Sequence, residues 1–418
     1  MRMHLFLVAL ITITLAPCGE SAQAKGTILY RFTGGIDGRN PVGPLVFDKA
    51  GNVYGVAQYG GAGCGVIFEL SPPVQGTAWI ESTLYTFACG TDGAYPNGGL
   101  ILDPAGNLYG TTSGGGVCLY SCGTLFQLSP PTSSGGAWTY TVLHLFGGAD
   151  QPDGGQPNGN LVLDQAGNLY GTAVYGGNSV CSIDPGPCGV VFEFVHPQTG
   201  SGWTEKILYN FTDVPDGAYP SAGVTFDGKG NLYGSTSTGG SGPCTDGEGL
   251  TIGCGTAFQL RPTTLGGWTK RTIYNFVPSE SGPGSPLTFA KDGSLYGTAA
   301  YDVFRLTPRV AGGWRHQTLQ TFTEGISGTI PSSGVIVDEN HNLYGTTSSS
   351  GLTGFSSAFE LSPPGTIGAQ WTLITLQTFG SGLDSNQPRG GLVRGKDGLY
   401  GATSANAAGN GFVFKIVP

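Results

Sequence analysis

A chain of 418 residues with 75 glycines, 27 prolines and 11% charged residues is too rich in helix breakers for a helical bundle. Its 39% apolar content sets it apart from disordered chains, and a net charge of −9 repels a phosphate backbone, which excludes nucleic acid as a partner. Length alone suggests two or three domains, but an unbroken repeat overrides that expectation.

Residues 1–24 stand apart from the rest. Arg2 and His4 precede an apolar run from Leu5 to Ala16, and Ala22-Gln23-Ala24 has the small-x-small form of a signal peptidase site. The run is too short to span a bilayer, so it reads as a cleaved export signal with Lys25 opening the mature chain. Leu15-Ala16-Pro17-Cys18 is a loose lipobox. The proline beside the cleaved bond makes a lipoprotein acylated at Cys18 the minor alternative. No later segment is suited to cross a membrane.

The mature chain begins with a lone strand, Thr27-Ile28-Leu29-Tyr30-Arg31-Phe32. Seven copies of Leu-Tyr-Gly or Val-Tyr-Gly follow, with glycines at Gly55, Gly110, Gly171, Gly234, Gly297, Gly345 and Gly401, 48 to 63 residues apart. In the second copy, Gly99-Leu100-Ile101-Leu102-Asp103 leads through a turn into Asn107-Leu108-Tyr109-Gly110-Thr111-Thr112. Gly123-Thr124-Leu125-Phe126-Gln127-Leu128 follows a glycine-rich loop, and Trp138 to Phe146 follows Ser129-Pro130-Pro131. Each segment is short, β-branched or aromatic, and bounded by turn residues, which predicts four strands per repeat and no helix. The last unit ends at a third strand, Gly411 to Ile416, with no fourth behind it. The orphan first strand completes it. The expectation is an all-β, seven-bladed β-propeller with four antiparallel strands per blade, one domain over residues 25–418, its ring closed by the N-terminal strand joining the last blade.

Eight cysteines remain beyond Cys18, an even number suited to an oxidising compartment. Cys64, Cys122, Cys188 and Cys254 each precede the glycine that opens a third strand. Local companions pair Cys118 with Cys122, Cys181 with Cys188 and Cys244 with Cys254. Elimination leaves Cys64 with Cys89, and a propeller puts their two loops on one face. Cys118-x3-Cys122 lacks the second pair of a zinc finger, and the sequence calls for no metal and no cofactor.

Variation in loop length marks a candidate binding face. From the glycine of the Tyr-Gly pair to the third-strand phenylalanine the chain takes between 7 and 24 residues, whereas the Asp-x-x-Gly-Asn turn at Asp48, Asp103, Asp164 and Asp227 varies little. The same face should carry the inter-blade loops, with the pattern Asp-Gly-x-x-Pro. Asp37, Asp92, Asp153, Asp216 and Asp384 each stand four residues before a proline, and repeats five and six have Gly282 and Ser327 instead. With Tyr95 and Tyr219, these aspartates are the candidate ligand-binding set, for a cation or for sugar hydroxyls. The competing reading, which weighs more, is turn chemistry in which each carboxylate caps its own backbone. No catalytic residue is assigned: His144, His196, His316 and His341 each replace or flank a residue of the repeat, and no Ser/His/Asp set emerges. Glu69, Gln127, Glu193, Gln259 and Glu360 share one third-strand position and read as a solvated face. Six tryptophans open fourth strands and read as packing between blades.

The pattern Asp-Gly-x-x-Pro, Gly-Leu, Asp-x-x-Gly-Asn-Leu-Tyr-Gly-Thr-Thr, Gly-Gly and Gly-Thr-x-Phe-x-Leu resembles the GloVer tandem-repeat family of exported bacterial proteins over Thr27 to Pro418. It is similar, less specifically, to NHL-type repeats, which occur in binding proteins and lyases. The resemblance implies bacterial export and a secreted, periplasmic or surface location, and brings no activity with it. The reading is a secreted or cell-surface monomer acting as a binding module, its partner a polysaccharide or a surface protein. An extracellular lyase or hydrolase with a central-channel site comes second and a structural surface protein third; the sequence leans away from an enzyme, and fold alone does not choose.

Overall fold

The computed structural model describes residues 25–418 apart from 77, 119, 134, 182–185, 198, 200, 201, 281, 324–329, 349–355, 367, 368, 380–386 and 405–409. The export signal and Cys18 therefore lie outside the described residues. Seven antiparallel sheets succeed one another along the chain. In the first, Arg39–Phe47, Val53–Tyr59, Val66–Ser71 and Ile80–Thr86 run in order from the channel outward. The last contains Pro388–Gly395, Gly398–Thr403 and Phe412–Val417, and its outermost strand is Lys25–Arg31, paired antiparallel from Lys25 against Val417 to Arg31 against Phe412. The expected seven-bladed ring and its closure by the N-terminal strand are both present. Apart from one 3-10 turn at Pro278–Glu280, no helix occurs among the described residues, and none is long and apolar enough to cross a membrane.

The core lies between blades, not inside them. At the end of each fourth strand a phenylalanine meets the third-strand phenylalanine of the next blade: Phe87 and Phe126 at 5.6 Å, Phe211 and Phe258 at 5.1 Å, Phe379 and Phe414 at 4.9 Å. The closing strand repeats the contact, with Phe32 5.0 Å from Phe68 across the seam. Each tryptophan stands edge-on to the signature tyrosine of the preceding blade, as in Trp138 on Tyr54 at 5.9 Å and Trp203 on Tyr109 at 5.8 Å. The tryptophans thus pack between blades as expected. Burying such rings dominates the energetics of the interface, with about 0.5–1.5 kcal/mol more per well-oriented pair.

The Asp-x-x-Gly-Asn-Leu-Tyr stretch is a self-capping turn. The Asp103 carboxylate accepts from the amides of Ala105 and Asn107 at 2.9 and 2.8 Å, from Asn107 Nδ2 at 2.8 Å and from the Tyr109 hydroxyl at 3.2 Å. Blades one, three, four and six repeat the arrangement at Asp48, Asp164, Asp227 and Asp338. One side chain so ties a turn to the ring that the next tryptophan covers. Asp103→Ala orphans the hydroxyl of a buried tyrosine and is expected to cost about 2 kcal/mol, read as a lower urea midpoint with an unchanged slope; a loss below about 0.5 kcal/mol would show the turn to be held by its backbone alone.

All four disulfides form as paired from the sequence: Cys64–Cys89, Cys118–Cys122, Cys181–Cys188 and Cys244–Cys254. They pin the loops of the first four blades on one face.

Candidate functional site

The seven innermost strands surround a central cavity of about 680 Å³ that every blade helps to line. Glycine makes this possible where neighbouring strands meet: a Cβ on Gly43 would stand 2.7 Å from the Gly99 amide nitrogen, and one on Gly159 would stand 2.1 Å from that of Gly223. The backbones approach so closely that the wall is laced across blades. Asn97 bonds to Asn158, and Asn160 accepts the Gly99 amide at 3.0 Å. The remaining polar lining is neutral, chiefly Ser221, Ser285, Ser332, Ser333 and Gln387. Among the described lining residues Arg389, exposed to solvent, is the one charged group, and none is Asp, Glu or His.

The sequence-assigned aspartates are placed elsewhere and apart. Asp37 accepts from the Tyr30 hydroxyl at 2.9 Å and from the Thr33 amide at 2.7 Å, and Asp92 repeats this with Tyr85 and Ala88 at 2.9 and 2.7 Å. Asp153 faces His144 Nε2 at 3.1 Å and the Gly147 amide at 3.0 Å; Asp216 accepts from the Tyr209 hydroxyl and the Thr212 amide at 3.0 and 3.1 Å. Each carboxylate is held at its own blade interface by a loop amide and the strand-four side chain before it, so these four do not converge on one ligand. Asp384 lies outside the described residues. Tyr95 and Tyr219 sit in the left-handed region, φ 57° and 56°, with their amides bonded to the Cys64 and Cys188 carbonyls at 2.9 Å. Their half-buried rings pair edge-on with Tyr59 at 5.6 Å and Tyr175 at 5.7 Å, two residues before the channel-lining Asn97 and Ser221.

A feature missed in the sequence is the third member of these inter-blade clusters. A bulge at Leu84, Leu143 and Leu208 re-aims the following Tyr85, His144 and Tyr209 toward their loop carboxylates. The residue two places after the next blade's tryptophan then joins each pair. Tyr140 stacks on Tyr85 at 3.9 Å, His316 stacks on Tyr274 at 4.5 Å, and Lys270 Nζ lies 2.6 Å from Asp216 Oδ1. Glu280 replaces the aspartate missing from the fifth repeat, accepting from the Tyr274 hydroxyl at 2.7 Å. The available signal was the spacing, a strand-four tyrosine six or seven residues ahead of a carboxylate. Burial first, then the adjoining carboxylate, pushes Tyr30, Tyr85 and Tyr274 well above the usual phenol range, so they remain donors.

The third-strand polar position is not a uniformly solvated face. Glu193 is buried beneath Tyr170, whose hydroxyl donates to it at 2.9 Å, and Gln259 is buried against Tyr233. The blade above covers what strand alternation alone would leave in water.

Comparison with known proteins agrees with this architecture. No curated protein matches the sequence. Solved structures similar in fold include virginiamycin B lyase from Staphylococcus aureus crystallised with quinupristin, 14% identical with a TM-score of 0.56 over 95% of this chain and 100% of that one. A streptogramin B lyase is 16% identical with a TM-score of 0.54 over 94% of this chain and 97% of the other. At such identities the likeness is one of fold alone. The profile of the Gloeobacter/Verrucomicrobia repeat matches residues 14–247, more than half the sequence. Repeat signature, blade architecture and profile agree: the chain belongs to the Gloeobacter/Verrucomicrobia repeat family.

Proposed function

We propose that this propeller is an exported binding module that takes a neutral polyhydroxyl ligand, a polysaccharide segment, at the channel mouth on its disulfide-bearing face. The observation that carries this reading is the channel's chemistry: amides, hydroxyls and one exposed guanidinium, with no Asp, Glu or His among the described lining residues. Amide and hydroxyl groups match sugar hydroxyls in donor and acceptor capacity, and the Tyr59–Tyr95 and Tyr175–Tyr219 pairs add apolar faces on which sugar rings stack. Four disulfides and the leader-like residues 1–24 support export. The lyase or hydrolase reading needs a titrating group beside the bond it breaks, which the described lining does not supply.

Affinity electrophoresis of the oxidised mature chain against soluble polysaccharides, with each lane stained for depolymerised product, tests the proposal. Retardation without cleavage is expected, and Arg389→Ala should weaken it by about tenfold or more at constant melting temperature, the loss of one charged hydrogen bond. Cleavage in any lane would transfer the protein to the enzyme reading. An Arg389→Ala variant retarded like the parent would move the site off the channel.

A further inference from the structure

The interface between the second and third blades departs from its neighbours in a way that points to a ligand. Its cluster consists of His144 and Asp153 from the second blade and its loop, and Glu205 from the outer strand Thr204–Asn210 of the third. His144 Nε2 lies 3.1 Å from Asp153 Oδ2 and 3.8 Å from Glu205 Oε2, and one donor atom from each residue fits within 4.8 Å of the others. A tetrahedral zinc ion with bonds of about 2.0–2.1 Å holds its ligand atoms roughly 3.3 Å apart, so one edge of that tetrahedron is already formed and small side-chain rotations close the others.

We propose that His144, Asp153 and Glu205 form a zinc site bridging two blades, with water as the fourth ligand. The repeat supplies its own control. At the equivalent positions one interface further on stand Tyr209, Asp216 and Lys270, and there the Lys270 ammonium, 4% exposed, neutralises Asp216 at 2.6 Å. In the His144 interface a carboxylate replaces that ammonium. Two carboxylates thus share a partly buried space, their side chains 23% and 16% exposed, without the cation the next interface has. Glu205 Oε1 is buried and has no hydrogen-bond partner among the described residues. The imidazole stands in place of the tyrosine used at the same position in four other blades, and Phe146 and Phe194 at 4.8 and 5.0 Å fix its plane. One imidazole and two carboxylates suit Zn²⁺; Ca²⁺ and Mg²⁺ prefer all-oxygen shells.

Titration of the metal-free, oxidised mature chain with zinc sulfate by calorimetry tests this, with calcium chloride in parallel and four-coordinate Co²⁺ absorption as a spectroscopic check. One equivalent of zinc should bind with a rise in melting temperature, and calcium should give neither. Glu205→Gln and His144→Tyr should each weaken zinc binding at least 100-fold; the second restores the tyrosine–aspartate pair of the other interfaces and so retains the fold. Glu205→Lys copies Lys270 and should abolish binding while raising the melting temperature of the metal-free protein. Stoichiometric binding that survives Glu205→Gln and His144→Tyr, or no binding at millimolar zinc, would overturn the assignment.

Discussion

A chain lacking residues 27–32 is expected to lose most of its stability and to aggregate. The deletion removes the pairing partner of Phe412–Val417 and takes away Phe32, whose ring spans the seam to Phe68. Loss of one buried phenylalanine costs about 3–5 kcal/mol, and loss of the strand pairing adds to it, against a total native stability of about 5–15 kcal/mol. The newly bared edge, Phe-Val-Phe-Lys-Ile-Val, carries a single charge and is a template for intermolecular pairing. A permutant separates the loss of the strand from the loss of chain length. Since Lys25 lies opposite Val417, replacing Pro418 by a two-residue Asn-Gly turn that leads into residues 25–32 converts the seam into a hairpin. Its melting temperature should match the parent's. A deletion variant that melts normally would mean the seam adds nothing to the ring.

The second large effect is expected at the signature glycine. The backbone at Gly110 needs no left-handed conformation; the demand is for room. A Cβ there would lie 2.5 Å from Phe126 Cζ and 2.9 Å from Leu100 Cδ2, both closer than carbon atoms approach. The third-strand phenylalanine lies over that bare backbone, and the same 2.5–2.6 Å encounter recurs at Gly55, Gly171, Gly234, Gly297, Gly345 and Gly401. Gly110→Val should therefore destabilise by about 3 kcal/mol or more, at or beyond the upper end of overpacking costs. The decisive measurement is a double-mutant cycle with Phe126→Leu, which shortens the obstructing ring. The pair should be less damaging than the sum of its parts by more than about 1 kcal/mol; strict additivity would refute the steric account.

What the sequence made legible follows from repetition. Seven Tyr-Gly pairs, the orphan strands at either end and the cysteine placed before each third strand in the first four repeats all report local chemistry, and each was found as expected. The reason for the glycine was not legible, because Phe126 is sixteen residues away and its ring direction depends on strand pairing. Nor was the channel. Asn97, Asn158 and Ser221 stand about sixty residues apart, and only ring closure brings them to one wall. The aspartates were visible as a pattern, but their partners split into a local half, Tyr85 with Asp92, and a half from the next blade, such as Lys270 with Asp216. The second half has no short-range signature. It is also where the interfaces differ most in charge.

The seam carries a directional consequence. Antiparallel pairing of Lys25 with Val417 brings these two residues to the side bearing the Asp-x-x-Gly-Asn turns, opposite the disulfide-bound loops. The outer strand and its partner thus enter and leave the last blade on that one side. The molecule is thus polar in the geometric sense: the ends of its closing strand pair lie at the back, and the cross-linked loops and one channel mouth lie at the front.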